Sequence, residues 1–291
     1  MRYWSLIKRK ANSHKGNYGH VFVLAGSVGL TGAAYLTAQA ALLSGSGLVT
    51  LGIPKSLNPI MARKLIEVMT MPLPETRTQS LSSRAFSEIK KFSRKTDILA
   101  VGPGLSQNRE TQMLIRKVIS SVDKPMVIDA DGLNALAGHL EILRRMKDEG
   151  QRVILTPHPG EMAGLTGRTI EFVQKNRKKV ADDFVKKYNV TLVLKGHRTI
   201  VAAPRKKAYI NKTGNPGMAS GGAGDVLTGI IASFLGQGLS AFDAAKFGVY
   251  VHGLAGDIAA SEKGQLSLTA SDLLNKLPEV LRKRSSSSKE G

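Results

Sequence analysis

The chain has 291 residues, of which 42% are hydrophobic and only 5% aromatic, enough for one large α/β unit with an aliphatic core. It has no cysteine, which excludes disulfides, thiol catalysis and cysteine-ligated metals, and its six histidines are scattered away from metal-ligand spacing. The net charge is +20, but the basic residues form no stripe interleaved with aromatics and no apolar run reaches the ~18 residues of a membrane span, so neither nucleic acid nor membrane is expected as a partner.

The N-terminal lead is basic and has no long apolar region after it, so no signal peptide is read and a cytoplasmic protein is expected. GHVFVLAGS (residues 19–27) then predicts a strand, LTGAAYLTAQAALLSG a helix and GLVTLGIP a second strand, together a βαβ unit. DILAVGPGL predicts a strand running into a glycine-rich turn. PMVIDADGLNAL predicts a strand ending in acids and then a helix, and RVILTPHPGEMAGL repeats that form. A charged helix is expected from about Ile170 to Lys187, followed by the strand VTLVLKG. Strands that alternate with helices and are apolar throughout predict a mostly parallel central sheet with helices on both faces.

Beyond Lys195 the texture changes. RTIVAAP and KAYINKTG predict an antiparallel pair joined by a basic turn. Helices are expected over about Asp225–Leu235, Ala241–Ser261 and Ala270–Lys283, with residues 283–291 as a frayed tail. No linker divides two cores, so residues 1–291 are read as a single domain.

In parallel α/β sheets ligands bind beyond the carboxyl ends of the strands. The polar candidates fall there: Gly102, Gly104, Asp129, Asp131, His158, Glu161 and Lys195. The stretch GNPGMASGGAGDVLTGIIA adds a glycine-rich loop that ends at the start of an apolar helix, with Asp225 at the joint. An acid there suits a helix cap and the macrodipole. The glycines suggest a second use, because uncovered N–H groups at a helix N-terminus bind anions. Gly221, Gly222 and Gly224 then act as donors to a phosphate, and Asp225 takes the proton of a hydroxyl that attacks it. Its place at a helix N-terminus predicts an ionised Asp225, a weak base that accepts its proton late.

TGNPGMASGGAGDVLTGIIA resembles the terminal signature of the ribokinase-like superfamily. HKGNYGHVFVLAGSVGLTGAAYLTAQAALLSGSGLVT, VGPGL, DADGLNAL, TPHPGEM and LKGHRTIV resemble, more narrowly, the ADP/ATP-dependent NAD(P)H-hydrate dehydratases, over nearly the whole chain. The resemblance implies a ribokinase-like α/β fold and repair of the S-epimer of hydrated NADH or NADPH. In that reaction ADP or ATP, with Mg2+, phosphorylates the C6 hydroxyl, and phosphate is then eliminated. It implies Asp225 as base and substrate contact, and Gly222 and Gly224 as donors to the phosphoryl group. Ala33, Ala34, Gly104 and His158 become substrate contacts. Lys195, Gly196, His197, Arg198 and Thr199, with Gly224, become nucleotide contacts, and Glu161 orders magnesium through water. Each position also has a plainer reading: helix packing for Ala33 and Ala34, a turn for Gly104, an exposed loop for His158, a first-turn acid for Glu161, a solvated strand end for Lys195. The epimerase domain that precedes this one in many relatives is expected to be absent, and a homo-oligomer, a tetramer, is implied. Two rivals stay open: a vitamin-precursor kinase of the same superfamily, and a non-enzymatic nucleotide- or nucleic-acid-binding protein.

Overall fold

A computed structural model describes residues 9–146 and 153–285. Of the expected frayed tail 283–291, residues 283–285 still belong to the last helix, and the rest lies outside the described residues, as does the extreme N-terminal lead. The strands are β1 (His20–Leu24), β2 (Leu48–Pro54), β3 (Met69–Leu73), β4 (Ile98–Val101), β5 (Met126–Ile128), β6 (Val153–Leu155), β7 (Thr191–Leu194), β8 (Ile200–Ala202) and β9 (Tyr209–Ile210). They form one sheet in the order β3-β2-β1-β4-β5-β6-β7-β8-β9. Pairing is parallel from β3 to β7 and antiparallel for β7–β8 and β8–β9. The expected α/β class, parallel core and antiparallel end are therefore all present.

The helices are α1 (Thr31–Leu43), α2 (Asn58–Lys64), α3 (Phe86–Ser93), α4 (Arg109–Ser121), α5 (Asp131–Leu136), α6 (Glu141–Met146), α7 (Pro159–Thr166), α8 (Ile170–Lys175), α9 (Arg177–Tyr188), α10 (Ala223–Gly236), α11 (Ala241–Lys263) and α12 (Ala270–Ser285). Side chains alternate across a strand, so β1 feeds two cores. Val21, Val23 and Ala25 join α1, α10, α11 and α12 in one layer, while Phe22 and Leu24 join α3, α4, α7 and α9 in the other. Both faces of the sheet are covered, which is why its strands are apolar throughout.

Two local departures have physical causes. The helix expected over Ile170–Lys187 is two helices. Asn176 breaks it at φ −121°, and its side-chain amide donates to the Phe172 carbonyl at 3.0 Å. Strand β3 carries Pro72, a residue that argues against a central strand, and is tolerated because β3 is the sheet edge. Among the described residues no helix is long and apolar enough to cross a membrane.

Because β1 to β7 run the same way, their carboxyl ends gather on one side of the sheet. α10 begins on that side and ends on the other. There Gly236 packs so close to Gly19 that a Cβ on Gly19 would lie 2.4 Å from the Gly236 carbonyl oxygen.

Candidate active site

The site is built from the turns that follow β1, β4, β5, β6 and β7, closed by the N-terminus of α10. After β4 the chain passes so near the β5 turn that a Cβ on Gly102 would sit 1.8 Å from the Asp129 carbonyl oxygen. Glycine is obligatory there, at φ +130°. Between the two acids of the DAD turn, Ala130 is held at φ 47°, ψ −119°, a conformation that costs on the order of 1–3 kcal/mol. Both flanking carboxylates are anchored and hold it. Asp131 accepts from the Ser106 N–H at 2.8 Å and from the Asn134 amide at 3.1 Å. Asp129, 1% exposed, accepts from Lys195 Nζ at 2.6 Å and from Thr228 Oγ1 at 2.7 Å.

Lys195 is therefore no solvated strand end. Its ammonium lies inside, 3.8 Å from Glu161 Oε2 as well. Burial alone would push it down, but Asp129 and Glu161 outweigh burial and hold it above the ordinary lysine value. The rest of the Lys195–Thr199 loop turns outward, with Gly196, His197 and Arg198 exposed and Arg198 in the left-handed region at φ 54°. Its backbone is gripped by Arg177, whose guanidinium donates to the carbonyls of Leu194 at 3.0 Å, Lys195 at 3.1 Å, and His197. Sequence reasoning missed Arg177 because it stands in a basic run that reads as a solvated helix face.

His158 and Glu161 start α7 as a reciprocal cap. The His158 N–H donates to Glu161 Oε2 at 2.7 Å, and His158 Nδ1 accepts from the N–H groups of Gly160 and Glu161 at 3.0 and 3.2 Å. The ring proton is thereby placed on Nε2, 3.4 Å from Glu161 Oε1. The side chain is exposed, as the plainer loop reading expects, but partial burial, and then the Lys195 charge, hold the imidazole below its usual pKa. Burial also lifts Glu161 to about 7, with Asp129 and Asp131 adding to the rise and Lys195 opposing it.

Asp225 lies in the first turn of α10, behind Gly222 at φ +88°. The N–H groups of a helix's first turn have no partner within the helix. Asp225 is nonetheless not the fully ionised acid that its position predicts. Burial, and then the charge of Asp129, raise its pKa to about 7, and Lys195 offsets only part of that. The local dipole reading fails because the opposing charges come from other strands.

The glycines differ in kind. A Cβ on Gly221 meets nothing within 4 Å, one on Gly224 comes 3.3 Å from Lys195 Nζ, and one on Gly222 comes 2.4 Å from Leu36 Cδ1 and 3.1 Å from Ala270 Cβ. Gly222→Ala is therefore expected to lose roughly 1–3 kcal/mol of stability, from the clash and the positive φ. Gly221→Ala should stay within about 0.5 kcal/mol of wild type. Urea midpoints of the two variants decide this, and equal midpoints would refute it.

α11 fastens both ends of the glycine-rich stretch. Asp257 accepts from the Gly214 N–H at 2.9 Å and the Asn215 amide at 3.0 Å, and His252 Nε2 lies 2.8 Å from the Ala223 carbonyl. Burial drives His252 down to about 4, so it is neutral and donates to that carbonyl. On the opposite side of the site, Ala33 packs where a Cβ on Gly104 would lie 3.1 Å from its methyl. Ala34 points away from the opening and is 0% exposed, against Gly26. The structure thus gathers Lys195, Asp129, Glu161, His158 and Asp225 into one cluster at the carboxyl end of the sheet. Ala33 and Gly104 lie on its β1–β4 side and His197–Thr199 on its β7 rim. Thr228 was legible only as one more position of an apolar helix.

The family model for NAD(P)H-hydrate dehydratase matches residues 21–279. The bifunctional NAD(P)H-hydrate repair enzyme Nnr of Moorella thermoacetica is 48% identical over 277 residues, covering 95% of this chain and 52% of that protein. The chain thus spans about half the length of that relative. The ADP-dependent (S)-NAD(P)H-hydrate dehydratase of Neisseria meningitidis serogroup B is 37% identical, with 91% of this chain and 85% of that one covered. The structure is similar to that of the ADP/ATP-dependent NAD(P)H-hydrate dehydratase of Bacillus subtilis co-crystallized with ATP/Mg2+, with TM-score 0.79 and 33% identity over 96% of this chain and 94% of that one. A model match over most of the sequence, on a sheet whose carboxyl-end turns carry the quoted motifs, makes this chain a member of the NAD(P)H-hydrate dehydratase family.

Proposed function

We propose that this chain dehydrates the S-epimer of hydrated NADH or NADPH at the expense of ADP or ATP. The observation that carries the reading is the half-buried carboxylate of Asp225, set at the glycine-bracketed N-terminus of α10, beside Asp129 and Lys195, and poised near pH 7. A base with that pKa is unprotonated often enough to accept a proton and basic enough to hold it. Asp225 takes the proton of the C6 hydroxyl as that oxygen attacks the terminal phosphorus of the nucleotide. The N–H groups of Gly222 and Gly224 stabilise the charge on the transferring group. Hydroxide is a poor leaving group and phosphate a good one. The ring nitrogen lone pair expels the phosphate, the C6–O bond breaks, and loss of a proton from C5 restores the double bond.

Lys195 hydrogen-bonds one carboxylate, Asp129, and faces a second, Glu161. Its part is to keep the acidic turn folded and, with the backbone of Gly196–Thr199, to border the adenylate. Ala33, Gly104 and His158 border the hydrated nicotinamide, Ala34 contributing through its backbone alone. Among the described residues no three His, Asp or Glu side chains are arranged to hold a metal, and both Glu161 oxygens already face His158. That donor set suits a magnesium ion held mainly by phosphate oxygens and water, with Glu161 ordering one of the waters. When bound, such an ion neutralises phosphate charge.

The direct test is to incubate the protein with hydrated NADPH, magnesium and ADP or ATP, and follow the return of the reduced-nicotinamide absorbance. One nucleotide consumed and one phosphate released per cofactor recovered is expected. No recovery, alongside lasting phosphorylation of a pyrimidine or thiazole alcohol, would instead establish a vitamin-precursor kinase. Glu161→Gln is expected to raise the magnesium needed for half-maximal rate several-fold. The amide still accepts from the His158 N–H, so the melting temperature should not fall. A lower melting temperature with an unchanged magnesium requirement would reduce Glu161 to a helix cap.

A further inference from the structure

The positive charge is unevenly placed on this fold. The carboxyl end of the sheet carries the acids Asp129, Asp131, Glu161 and Asp225. The amino end collects bases, because each helix-to-strand connection returns the chain there. Lys15 precedes β1, Arg94 and Lys95 precede β4, Lys124 precedes β5, and Lys186 and Lys187 close α9 ahead of β7; all are exposed except the half-buried Lys124. Exposed Arg205, Lys206 and Lys207 form the β8–β9 turn. Pairing of Ala202 with Leu192, near the start of β7, sets that turn at the same end. The acids of the connections just named are Asp97 and Asp123, and Asp97 already accepts from the His20 N–H at 2.8 Å; Glu67 stands before β3, outside the row, and the connection ahead of β6 lies outside the described residues.

The bases form a row. They come from connections that follow the strand order β1-β4-β5 and then β7-β8-β9. With neighbouring strands about 4.8 Å apart, the row runs along roughly 30 Å of the sheet's lower edge. That is the axial length of about nine base pairs at 3.4 Å per pair. A sequence scan sees no basic stripe because each connection supplies only one to three cations, 20 or more residues from the next in most cases. The fold aligns them.

We propose that this row binds the phosphate backbone of duplex nucleic acid without reading its sequence, on the side of the molecule remote from the nucleotide site. A line of cations matches a linear polyanion better than it matches a planar lipid surface. The exposed apolar side chains Ile66 and Met69 lie apart from it, towards the β3 edge. Single strands are disfavoured because nearby rings are already faced by this chain's own cations. Arg9 lies 4.5 Å from the Tyr18 ring centre, Lys117 4.2 Å from that of Phe86, and Lys187 5.4 Å from that of Tyr188. Among the described residues, these three nearby rings are thus not open faces for stacking bases.

The test is anisotropy of a labelled 20-base-pair duplex of arbitrary sequence, titrated with the whole chain from 50 to 200 mM salt. A dissociation constant of about 10⁻⁴–10⁻⁶ M near physiological salt is expected, with a log–log salt slope of roughly −5 for about six phosphates. The variant Lys95→Glu/Lys124→Glu/Lys187→Glu should lose at least about tenfold in affinity and flatten that slope. Arg205→Ala/Lys206→Ala/Lys207→Ala, on an exposed turn, should weaken binding with an unchanged melting temperature. Nucleotide-dependent turnover should be the same in all three proteins, because none of these residues borders the site. No duplex binding at 50 mM salt, wild-type affinity and salt slope in both variants, or binding to phosphatidylserine vesicles with none to duplex would each overturn the proposal.

Discussion

Asp225→Asn is expected to reduce turnover by about 10²–10⁴, the usual range for a lost general base, while nucleotide affinity changes no more than a few fold. The separation follows from what each group does. In the proposed reaction the nucleotide phosphates would meet backbone N–H groups that the substitution leaves in place, whereas the carboxylate would be needed only when the hydroxyl loses its proton. Wild-type kcat/KM should rise with pH through about 7, where Asp225 becomes ionised. The same substitution has a second signature. The folded-state pKa of about 7 lies above the ordinary 3.8, so between those values the folded protein binds the proton that the unfolded chain has released. Stability from this group is greatest below pH ~4, falls as pH rises and is lowest above pH ~7. Asparagine carries no charge to bury and caps a helix about as well. Asp225→Asn should therefore stabilise the protein by roughly 1–3 kcal/mol at pH 8, and by almost nothing at pH 4. Calorimetric nucleotide binding, turnover, and melting curves at both pH values read all of this from one variant. Near-normal turnover would remove Asp225 from the chemistry, and a lower melting temperature at pH 8 would contradict its burial among acids.

Lys195→Met is expected to be the most destabilising single change in the site. Among the described residues the lysine is the one cation in hydrogen-bonding contact with Asp129, which is almost fully buried, and it also faces Glu161. Removing one partner of a buried pair leaves the other charge without compensation, and typically costs about 3–5 kcal/mol. The loss should be largely recovered in Lys195→Met/Asp129→Asn, because the orphaned carboxylate is then gone while Thr228 keeps an acceptor in the asparagine carbonyl. Lys195 also restrains the upward shift of Asp225, so any residual activity of Lys195→Met should need a higher pH. Urea unfolding of both variants separates the explanations. A loss below about 1 kcal/mol in the single variant would make the pair dispensable.

The sequence yields the sheet, its parallel core, its antiparallel end and both helical layers because those depend on short-range pattern. Strand runs such as VFVLA are apolar at every position, and helices interrupt them at regular intervals. The turns at the carboxyl ends were legible for the same reason, each being a glycine, acid or proline cluster at a strand end. What sequence missed is non-local. Asp129 and Lys195 stand 66 positions apart and meet only because β5 and β7 flank β6. The pKa of Asp225 was misjudged because its own helix is visible in sequence, whereas the burial and the Asp129 charge that override the dipole are not. Ala33 and Ala34 look equivalent in sequence, but a helix turns about 100° per residue. One faces the Gly104 turn and the other the sheet.

The double fastening of the Gly214–Ala223 stretch by Asp257 and His252 bears on how a nucleotide would be captured in the proposed reaction. Both anchors belong to α11, one continuous helix, so the two ends of the stretch are held by a single rigid body. A loop this rich in glycine, left loose, would have to surrender on the order of 1–2 kcal/mol of backbone freedom per residue on closing around phosphate. Anchoring both ends in advance lowers that cost, so the proposed association would resemble a key meeting a finished lock. Amide exchange across residues 214–223 should be slow in the ligand-free protein and little changed by nucleotide. In Asp257→Ala the same amides should exchange fast until nucleotide quiets them.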